Sequence, residues 1–313
     1  MGEMARRRWF WMLASFIGGL LISVFLSWQI ERHNQTSTSI ALQNVAEETA
    51  QKIVERVNMY QYGLRAIRGV ILTSGSNLSR EIITQYSRSR DIDSEFPGAR
   101  GFGFARRVQP EQLDLFLQQA RADGWPEFKL RQLNPHEGEH FVIQYIEPVE
   151  RNIQAVGLDI ASEQSRREAA LAAARLGEVQ ITAPITLVQA SGASSQSFLI
   201  LMPVYAQIDT PKLMADRASL TIGWTYAPLL MSEVLADITP DPTELGLTLS
   251  DVTTEEKAET FFRNQNVTDA SSKLPVVLLQ RAVFGRKWEI RAEAQPKFID
   301  GLNLTSPQYI FFT

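Results

Sequence analysis

The first long pattern in the chain is an uncharged apolar stretch, WFWMLASFIGGLLISVFLSWQI, at residues 9–30. Roughly 20 apolar residues are enough for a helix to cross a bilayer core. Arg6 to Arg8 precede the stretch, whereas Glu31 to His33 on its other side carry mixed charge. The positive-inside rule therefore predicts a transmembrane helix with its N-terminus in the cytoplasm. A cleaved signal peptide is the alternative, but its apolar region is usually only about 7 to 15 residues long.

A second apolar pattern, with helical spacing, follows the predicted membrane helix. Its members recur at gaps of three or four residues: Leu42, Val45, Thr49, Ile53, Val57, Tyr60, Leu64, Ile67 and Ile71. This spacing predicts one long helix, and Thr73 to Ser76 are expected to end it. The apolar stripe either packs against the following domain or pairs with a second copy of the chain in a short coiled coil. We expect packing, with a homodimer as a partial addition, and a further helix at residues 78–92.

From Phe96 onward the pattern changes to short strands and helices. Alternation at Phe102 and Phe104 predicts a strand, and an amphipathic helix is predicted at residues 110–123. An S-x-x-E pair, Ser165 and Glu168, predicts the start of a helix at residues 163–176. Further strands are predicted at residues 127–132, 141–147, 180–188, 197–205 and 220–226. The strand at residues 197–205 is nearly all apolar, which is typical of burial on both faces at the centre of a sheet.

A smaller second unit is predicted after the linker Thr239 to Pro242, with strands near residues 245–250 and 286–293. The closing SPQYIFFT is apolar enough to begin another membrane helix, so we expect a longer protein. The predicted organisation is a cytoplasmic tail (1–8), a transmembrane helix (9–30), a helical stalk (31–95), a membrane-distal unit (96–238), a membrane-proximal unit (239–306) and the start of a second span (307–313).

Composition narrows the possible functions. The chain has 313 residues, of which 44% are hydrophobic, so it can form one large or two smaller domains with proper cores. Cysteine is absent, which excludes disulfide frameworks and cysteine-based zinc or redox sites. The net charge of -4 provides no broad basic field, so no nucleic-acid partner is expected.

The segment HEGEH, His136 to His140, matches the H-E-x-x-H signature of zinc proteases, which requires a helix. Pro135 precedes the segment, Gly138 lies at its centre and predicted strands flank it, so we predict a hairpin loop. Outside a helix the two histidines are not expected to share a face at ligating distance. The third histidine of the chain, His33, adjoins the membrane helix and is not expected to supply a further ligand. The sequence therefore predicts no peptidase, no metal site and no cofactor. Opportunistic metal binding at the loop is the remaining alternative.

Three segments carry a resemblance to a known family: PGARGFGFARRV, IQYIEPVERNIQAVGLDIASEQSRREAALAAARLGEVQITAPITL and FLILMPVY. Their combination of YIEP, GLD, RR, A-x-x-x-G and a final PVY resembles the CHASE domain. CHASE domains are extracytoplasmic sensors of cytokinin-receptor histidine kinases in plants and of many bacterial histidine kinases and diguanylate cyclases. The segment VQASGASSQ, residues 188–196, departs from the plant pattern.

The resemblance implies an α+β fold, in which a long helical stalk carries two PAS-like units with antiparallel sheets and flanking helices. The first unit holds the ligand. In cytokinin-binding members an aspartate of the stretch equivalent to GLDIASEQSRR bonds the purine, and a backbone group before Thr-x-Pro adds a contact. The resemblance places these roles at Asp159 and Ile181, with Thr182 beside the latter.

The residues themselves leave alternatives open. Asp159 follows a predicted strand, where it either meets a ligand or caps the turn before Ser162. Tyr145 and Glu147 are either ligand-lining or plain sheet residues. Arg166 and Arg167, at a helix start, oppose the helix dipole and invite an anionic ligand or an ion pair with Glu163 or Glu168, and we favour the ion pair.

The predicted function is a membrane-anchored sensor of a small molecule: a purine, a cytokinin-like compound, an amino acid or a peptide. Asp159 is predicted to point into a pocket between the strands at residues 141–147 and 180–187. The output, a two-component histidine kinase or a cyclic-di-GMP-forming cyclase, lies outside this chain, to which no catalytic residue is assigned. The alternative is an anchored module that contacts another envelope protein. An enclosed cavity at Asp159 favours the sensor, and a large exposed apolar patch favours the module.

Overall fold

The computed structural model describes residues 2–187, 197–254, 258–264 and 274–308. Its first element, helix α1 (Gly2–Ser74), joins the apolar stretch and the predicted stalk helix into one helix. The apolar window of α1 has a mean hydropathy of 2.0 and none of it is buried inside the structure. The helix is therefore long and apolar enough to cross a membrane. The predicted second span lies mostly outside the described residues, as does the segment VQASGASSQ.

The stripe predicted on α1 is buried by the chain's own domain. Ile53, Val57, Tyr60 and Leu64 are each 0% exposed and belong to a core that includes residues of both sheets. Burial of such side chains stabilises a fold by about 1.5 to 3 kcal/mol each. The packing alternative is thus confirmed. A dimer formed through α1 would have to use another face of the helix, and it stays a prediction.

The region after α1 differs from the single helix predicted at residues 78–92. It forms two short helices, α2 (Arg80–Arg88) and α3 (Ile92–Glu95). Each has its own N-cap, because Ser79 Oγ accepts a hydrogen bond from the Ile82 N–H and Asp91 Oδ1 accepts one from the Ser94 N–H. The second cap starts a new helix where the first ends, so the prediction of one continuous helix is wrong.

A seven-stranded sheet forms the first unit within the described residues. Its strands are β1 (Phe102–Val108), β2 (Arg131–Gln132), β3 (His140–Glu147), β4 (Leu158–Asp159), β5 (Gln180–Ile181), β6 (Ser197–Tyr205) and β7 (Thr221–Leu230). The order is β2-β4-β3-β1-β7-β6-β5. All pairs are antiparallel except β2 with β4. All residues of β6 are buried, as predicted, whereas β2 and β5 are much shorter than the predicted strands.

The helices that accompany this sheet are α4 (Leu113–Ala122), α5 (Gln164–Leu176), α6 (Met214–Leu220) and α7 (Met231–Val234). The predicted S-x-x-E cap of α5 is wrong. The carboxylate of Glu163 caps the helix by accepting hydrogen bonds from the N–H groups of Ser165 and Arg166. The other end of α5 follows the prediction, because Gly177 adopts the left-handed conformation with φ 73°.

The strands of the second sheet are β8 (Leu245–Asp251), β9 (Glu259–Arg263), β10 (Val276–Val283) and β11 (Arg286–Ala294), and helix α8 (Pro296–Gly301) follows them. Their order in the sheet is β10-β11-β8-β9. Phe198 of the first sheet contacts Phe261 and Trp288 of the second, with ring centroids 4.9 and 5.3 Å away. The α+β fold with two sheets is confirmed. The domain limits at 95/96 and 238/239 stay predictions.

Candidate functional site

The predicted ligand-binding residues do not meet at one place. Asp159 lies on β4, the second strand from one edge of the first sheet. Ile181 belongs to β5 at the opposite edge, and Thr182 follows it. Tyr145 and Glu147 lie on β3 between them. The prediction of a pocket between the strands at residues 141–147 and 180–187 is therefore wrong, because three strands separate β3 from β5.

The carboxylate of Asp159 is 0% exposed and already holds several donors. Oδ1 accepts hydrogen bonds from the N–H groups of Phe141 (2.9 Å) and Ala161 (3.0 Å). Oδ2 lies 2.8 Å from His136 Nε2, 2.7 Å from His140 Nδ1 and 3.3 Å from Gln132 Nε2. Burial opposes ionisation, but the donors outweigh it and hold the pKa of Asp159 below its usual value. Asp159 thus links a turn, a strand and a loop, and its role in ligand binding stays a prediction.

The HEGEH segment lies outside the helices, as predicted, between β2 and the first residue of β3. The expectation that its histidines lie apart is wrong. The imidazole centroids of His136 and His140 are 5.1 Å apart, and both rings contact Asp159 Oδ2. The predicted hairpin is wrong, because β2 and β3 are not paired and β4 lies between them. The segment is instead a loop that crosses over β4 to the start of β3, and it brings together two histidines that were expected to meet only on a helix. One ligand atom from each of these three side chains lies within 4.8 Å of the others.

Tyr145 and Glu147 are held in polar contacts on β3. The Tyr145 hydroxyl donates to Asp123 Oδ2 (2.7 Å), and burial raises the pKa of the phenol. Glu147 Oε1 accepts a hydrogen bond from the Thr84 hydroxyl (2.6 Å), and Oε2 accepts one from the Val149 N–H. Glu147 also lines an open cleft of 220 Å³. Both side chains therefore have a structural role, and their contact with a ligand stays a prediction.

Ile181 and Thr182 line a cleft of 140 Å³ between α5, β5 and the turn that joins β10 to β11. The Ile181 N–H donates to the Phe284 carbonyl in that turn (3.0 Å). Thr182 Oγ1 accepts a hydrogen bond from the Leu199 N–H (3.0 Å). The cleft is thus a point of contact between the two sheets, and the backbone N–H of Ile181 is already occupied there.

Arg166, on the first turn of α5, has a different environment from the one expected. The residue is 3% exposed, and Nη2 donates to the Thr186 carbonyl (2.9 Å). The expected partner Glu163 has its oxygen 3.8 Å from Nε, while its carboxylate caps the helix. Nη1 is buried and has no hydrogen-bond partner among the described residues. Burial lowers the pKa of the guanidinium, against the attraction of Glu163. The ion pair with Glu163 therefore leaves part of the Arg166 guanidinium, at Nη1, without a hydrogen-bond acceptor.

Tyr226, on β7, is another residue with a buried polar atom that has no hydrogen-bond partner among the described residues. It is 0% exposed and shares a hydrophobic cluster with Ala169, Ala170 and Trp224. Its hydroxyl has no hydrogen-bond partner in the described part of the chain, and burial raises the pKa of the phenol well above its usual value. Buried polar atoms are nearly always bonded, so the unpaired atoms of Arg166 and Tyr226 require an explanation. The sequence pattern did not mark Tyr226, because a strand tyrosine is usually a core residue.

Comparison with known proteins gives the chain a family. No curated protein matches it. Among solved structures it is similar to the periplasmic sensory domain of the Campylobacter jejuni chemoreceptor Tlp1, with 13% sequence identity, a TM-score of 0.49, and coverage of 85% of this chain and 98% of that chain. The CHASE domain family matches residues 76–262, which is more than half of the sequence. The chain belongs to the CHASE domain family.

Proposed function

We propose that this chain is the extracytoplasmic sensor part of a transmembrane receptor. Its N-terminus lies in the cytoplasm, α1 crosses the inner or plasma membrane, and residues 31–306 lie outside. The first unit binds a small molecule, and a cytoplasmic output domain outside this chain receives the signal. Membership of a sensor family supports the proposal, as does the continuity of α1 from its apolar segment to its buried stripe.

The observation that carries the proposal is the buried, incompletely paired guanidinium of Arg166. A buried charge without a full set of partners destabilises a fold, because its lost hydration is not replaced. Arginine pairs best with planar carboxylates, to which it donates two parallel hydrogen bonds. A ligand carboxylate at Nη1 of Arg166 would supply the missing acceptor. Among the expected ligands, an amino acid or a short peptide therefore fits better than a neutral cytokinin-like compound.

The same geometry offers a path from the ligand to the membrane. Helix α5 leads directly into β5, whose Ile181 N–H bonds the β10–β11 turn. Strand β10 in turn contacts α1, where Arg281 pairs with Glu47. A ligand that binds Arg166 would pull the first turn of α5 towards itself. Through β5 this movement would shift the second sheet along α1. Such a population shift between two packings of α1 is the proposed signal.

Replacing Arg166 with methionine tests the proposed site. The full chain in detergent micelles is screened by thermal shift against amino acids, short peptides, purines and cytokinins, and hits are titrated by calorimetry. A charge-assisted hydrogen bond is worth about 1.5 to 3 kcal/mol. Arg166→Met should therefore weaken binding roughly 10- to 150-fold. Arg175→Met, at an exposed position of the same helix, is the control and should keep the wild-type affinity.

Wild-type affinity in the Arg166→Met variant, with its fold intact by circular dichroism, would contradict the proposed site. The interaction module remains the second candidate, because the first unit exposes Ile208, Leu213 and Met214 by 81%, 66% and 52%. A cluster of exposed apolar side chains is a usual mark of a protein contact. If no compound class raises the melting temperature, this second candidate is favoured.

A further inference from the structure

We propose that His136, His140 and Asp159 form a binding site for a divalent transition-metal ion of the zinc type. The bound ion clamps the loop at residues 133–139 onto the first sheet. Two imidazole nitrogens and one carboxylate oxygen lie within 4.8 Å of one another. This site is separate from the interactions of Arg166, so the proposal does not depend on the proposed sensor ligand.

The donor set suits such an ion. Zinc is bound by histidine nitrogens and carboxylate oxygens, and sites with three protein ligands leave a fourth position for water. Imidazole donors favour zinc, copper, nickel and iron over calcium and magnesium, which prefer oxygen ligands. The absence of cysteine leaves histidine and carboxylates as the strong ligands that this chain can offer such ions. A set of two histidines and one aspartate therefore selects a transition metal.

The carboxylate of Asp159 is oriented before any ion arrives. Its Oδ1 is held by the backbone N–H groups of Phe141 and Ala161, and Asp159 pairs with Val142 across β3 and β4. Only Oδ2 is directed at the two imidazoles, which lie 2.7 and 2.8 Å from it. Backbone donors that fix a ligating carboxylate in this way are a common outer shell of metal sites.

The ion would replace the two imidazole–carboxylate hydrogen bonds. Neutral imidazole can carry its proton on either nitrogen, so Nε2 of His136 and Nδ1 of His140 can each become lone-pair donors. Metal–nitrogen bonds of about 2.0 to 2.1 Å place two ligating nitrogens at most about 4 Å apart, so the two rings move towards each other when the ion binds. The His136 side chain is 19% exposed, whereas His140 is 7% and Asp159 0% exposed. An ion can therefore enter from the loop side, where His136 can move to admit it.

Zinc itself is the probe for this site. The full chain, freed of any affinity tag, is stripped with a strong chelator, then titrated with zinc against a chromophoric competitor and analysed for metal after gel filtration. We expect one zinc per chain and a higher melting temperature. Cobalt(II) bound in its place should show visible absorption bands typical of a four-coordinate site.

His136→Ala is the decisive variant. His136 is half-buried and lies in a loop outside the sheet, so its imidazole can be removed without disturbing a strand. Loss of an outer-shell group alone costs 10- to 100-fold in metal affinity, so the loss of a ligand should cost at least about 100-fold. His33→Ala, on α1, is the matched control and should bind zinc like the wild type. Arg166→Met should also retain zinc, which separates this proposal from the sensor site. Absence of stoichiometric zinc at micromolar concentration, or wild-type affinity in His136→Ala, overturns the proposal.

Discussion

Replacement of Asp159 with alanine is expected to lower the free energy of unfolding by about 3 to 5 kcal/mol, even without metal. The carboxylate accepts hydrogen bonds from two backbone N–H groups, and both imidazoles contact it. Each buried donor left without an acceptor costs about 1 to 3 kcal/mol. Removal of a carboxylate that only caps a turn would lower the free energy of unfolding by about 1 kcal/mol. The larger loss is expected because Asp159 connects β3, β4 and the HEGEH loop.

Urea unfolding in detergent micelles, with chelator present, measures this loss through the circular dichroism of the sheet. Asp93→Ala is the control. The Asp93 side chain is 72% exposed and pairs with Arg151, and exposed ion pairs contribute less than about 1 kcal/mol. A loss below about 1 kcal/mol for Asp159→Ala would show that the carboxylate acts only as a turn cap.

Replacement of Ile53 with aspartate should prevent the sheets from packing on α1. Ile53 is 0% exposed within the core formed by α1 and both sheets. A carboxylate at this position loses its hydration and gains no partner, and such changes belong to the rare class that costs more than about 4 kcal/mol. We therefore expect a domain that is cleaved quickly by protease while α1 remains helical.

Ile40→Asp is the matched control for Ile53→Asp. Ile40 lies on the same helix and its side chain is 58% exposed, so its replacement should change the free energy of unfolding by no more than about 0.5 kcal/mol. Limited proteolysis and urea unfolding of the two variants provide the comparison. Equal resistance of Ile53→Asp and the wild type would mean that the stripe of α1 is not the surface on which the sheets pack.

Strands with a strong apolar pattern could be predicted from the sequence. Strand β6 agrees with its predicted limits because it is apolar throughout and lies inside the sheet. Strand β10 was missed, since its burial alternates only weakly and it lies at a sheet edge. Strand β2 was predicted too long because its parallel pairing with β4 covers only two residues. Edge strands depend on tertiary pairing, which local pattern does not report.

The first residues of the helices also could not be predicted reliably from the local sequence. Ser165 and Glu168 have the spacing of a capping box, but the side chain of Glu163 reaches the free N–H groups first. The break between α2 and α3 depends on Asp91 as a second cap. Several candidate caps within a few residues compete, and the packing of the following helix selects one of them.

The candidate sites depend even more on tertiary structure. Asp159 could be singled out from its place after a strand, but its neighbours could not. His136 is far from Asp159 in sequence, and only the return of the loop brings it within 2.8 Å. Arg166 was expected to form an ion pair with Glu163 or Glu168 at a helix start, but its burial to 3% exposure could not be predicted. Burial and convergence of side chains are properties of the whole unit, so a local pattern cannot supply them.

The most direct test of an exported sensor anchored by α1 is its membrane topology. The chain contains no cysteine, so a single one can be introduced at Ser89, which is exposed directly after α2, or at Gly2 before the apolar stretch. Intact cells are treated with a membrane-impermeant thiol reagent, and lysed cells provide the total. Because the arginines before the apolar stretch hold the N-terminus in the cytoplasm, Ser89→Cys should be labelled in intact cells and Gly2→Cys only after lysis. Labelling of Gly2→Cys but not of Ser89→Cys in intact cells would contradict the account.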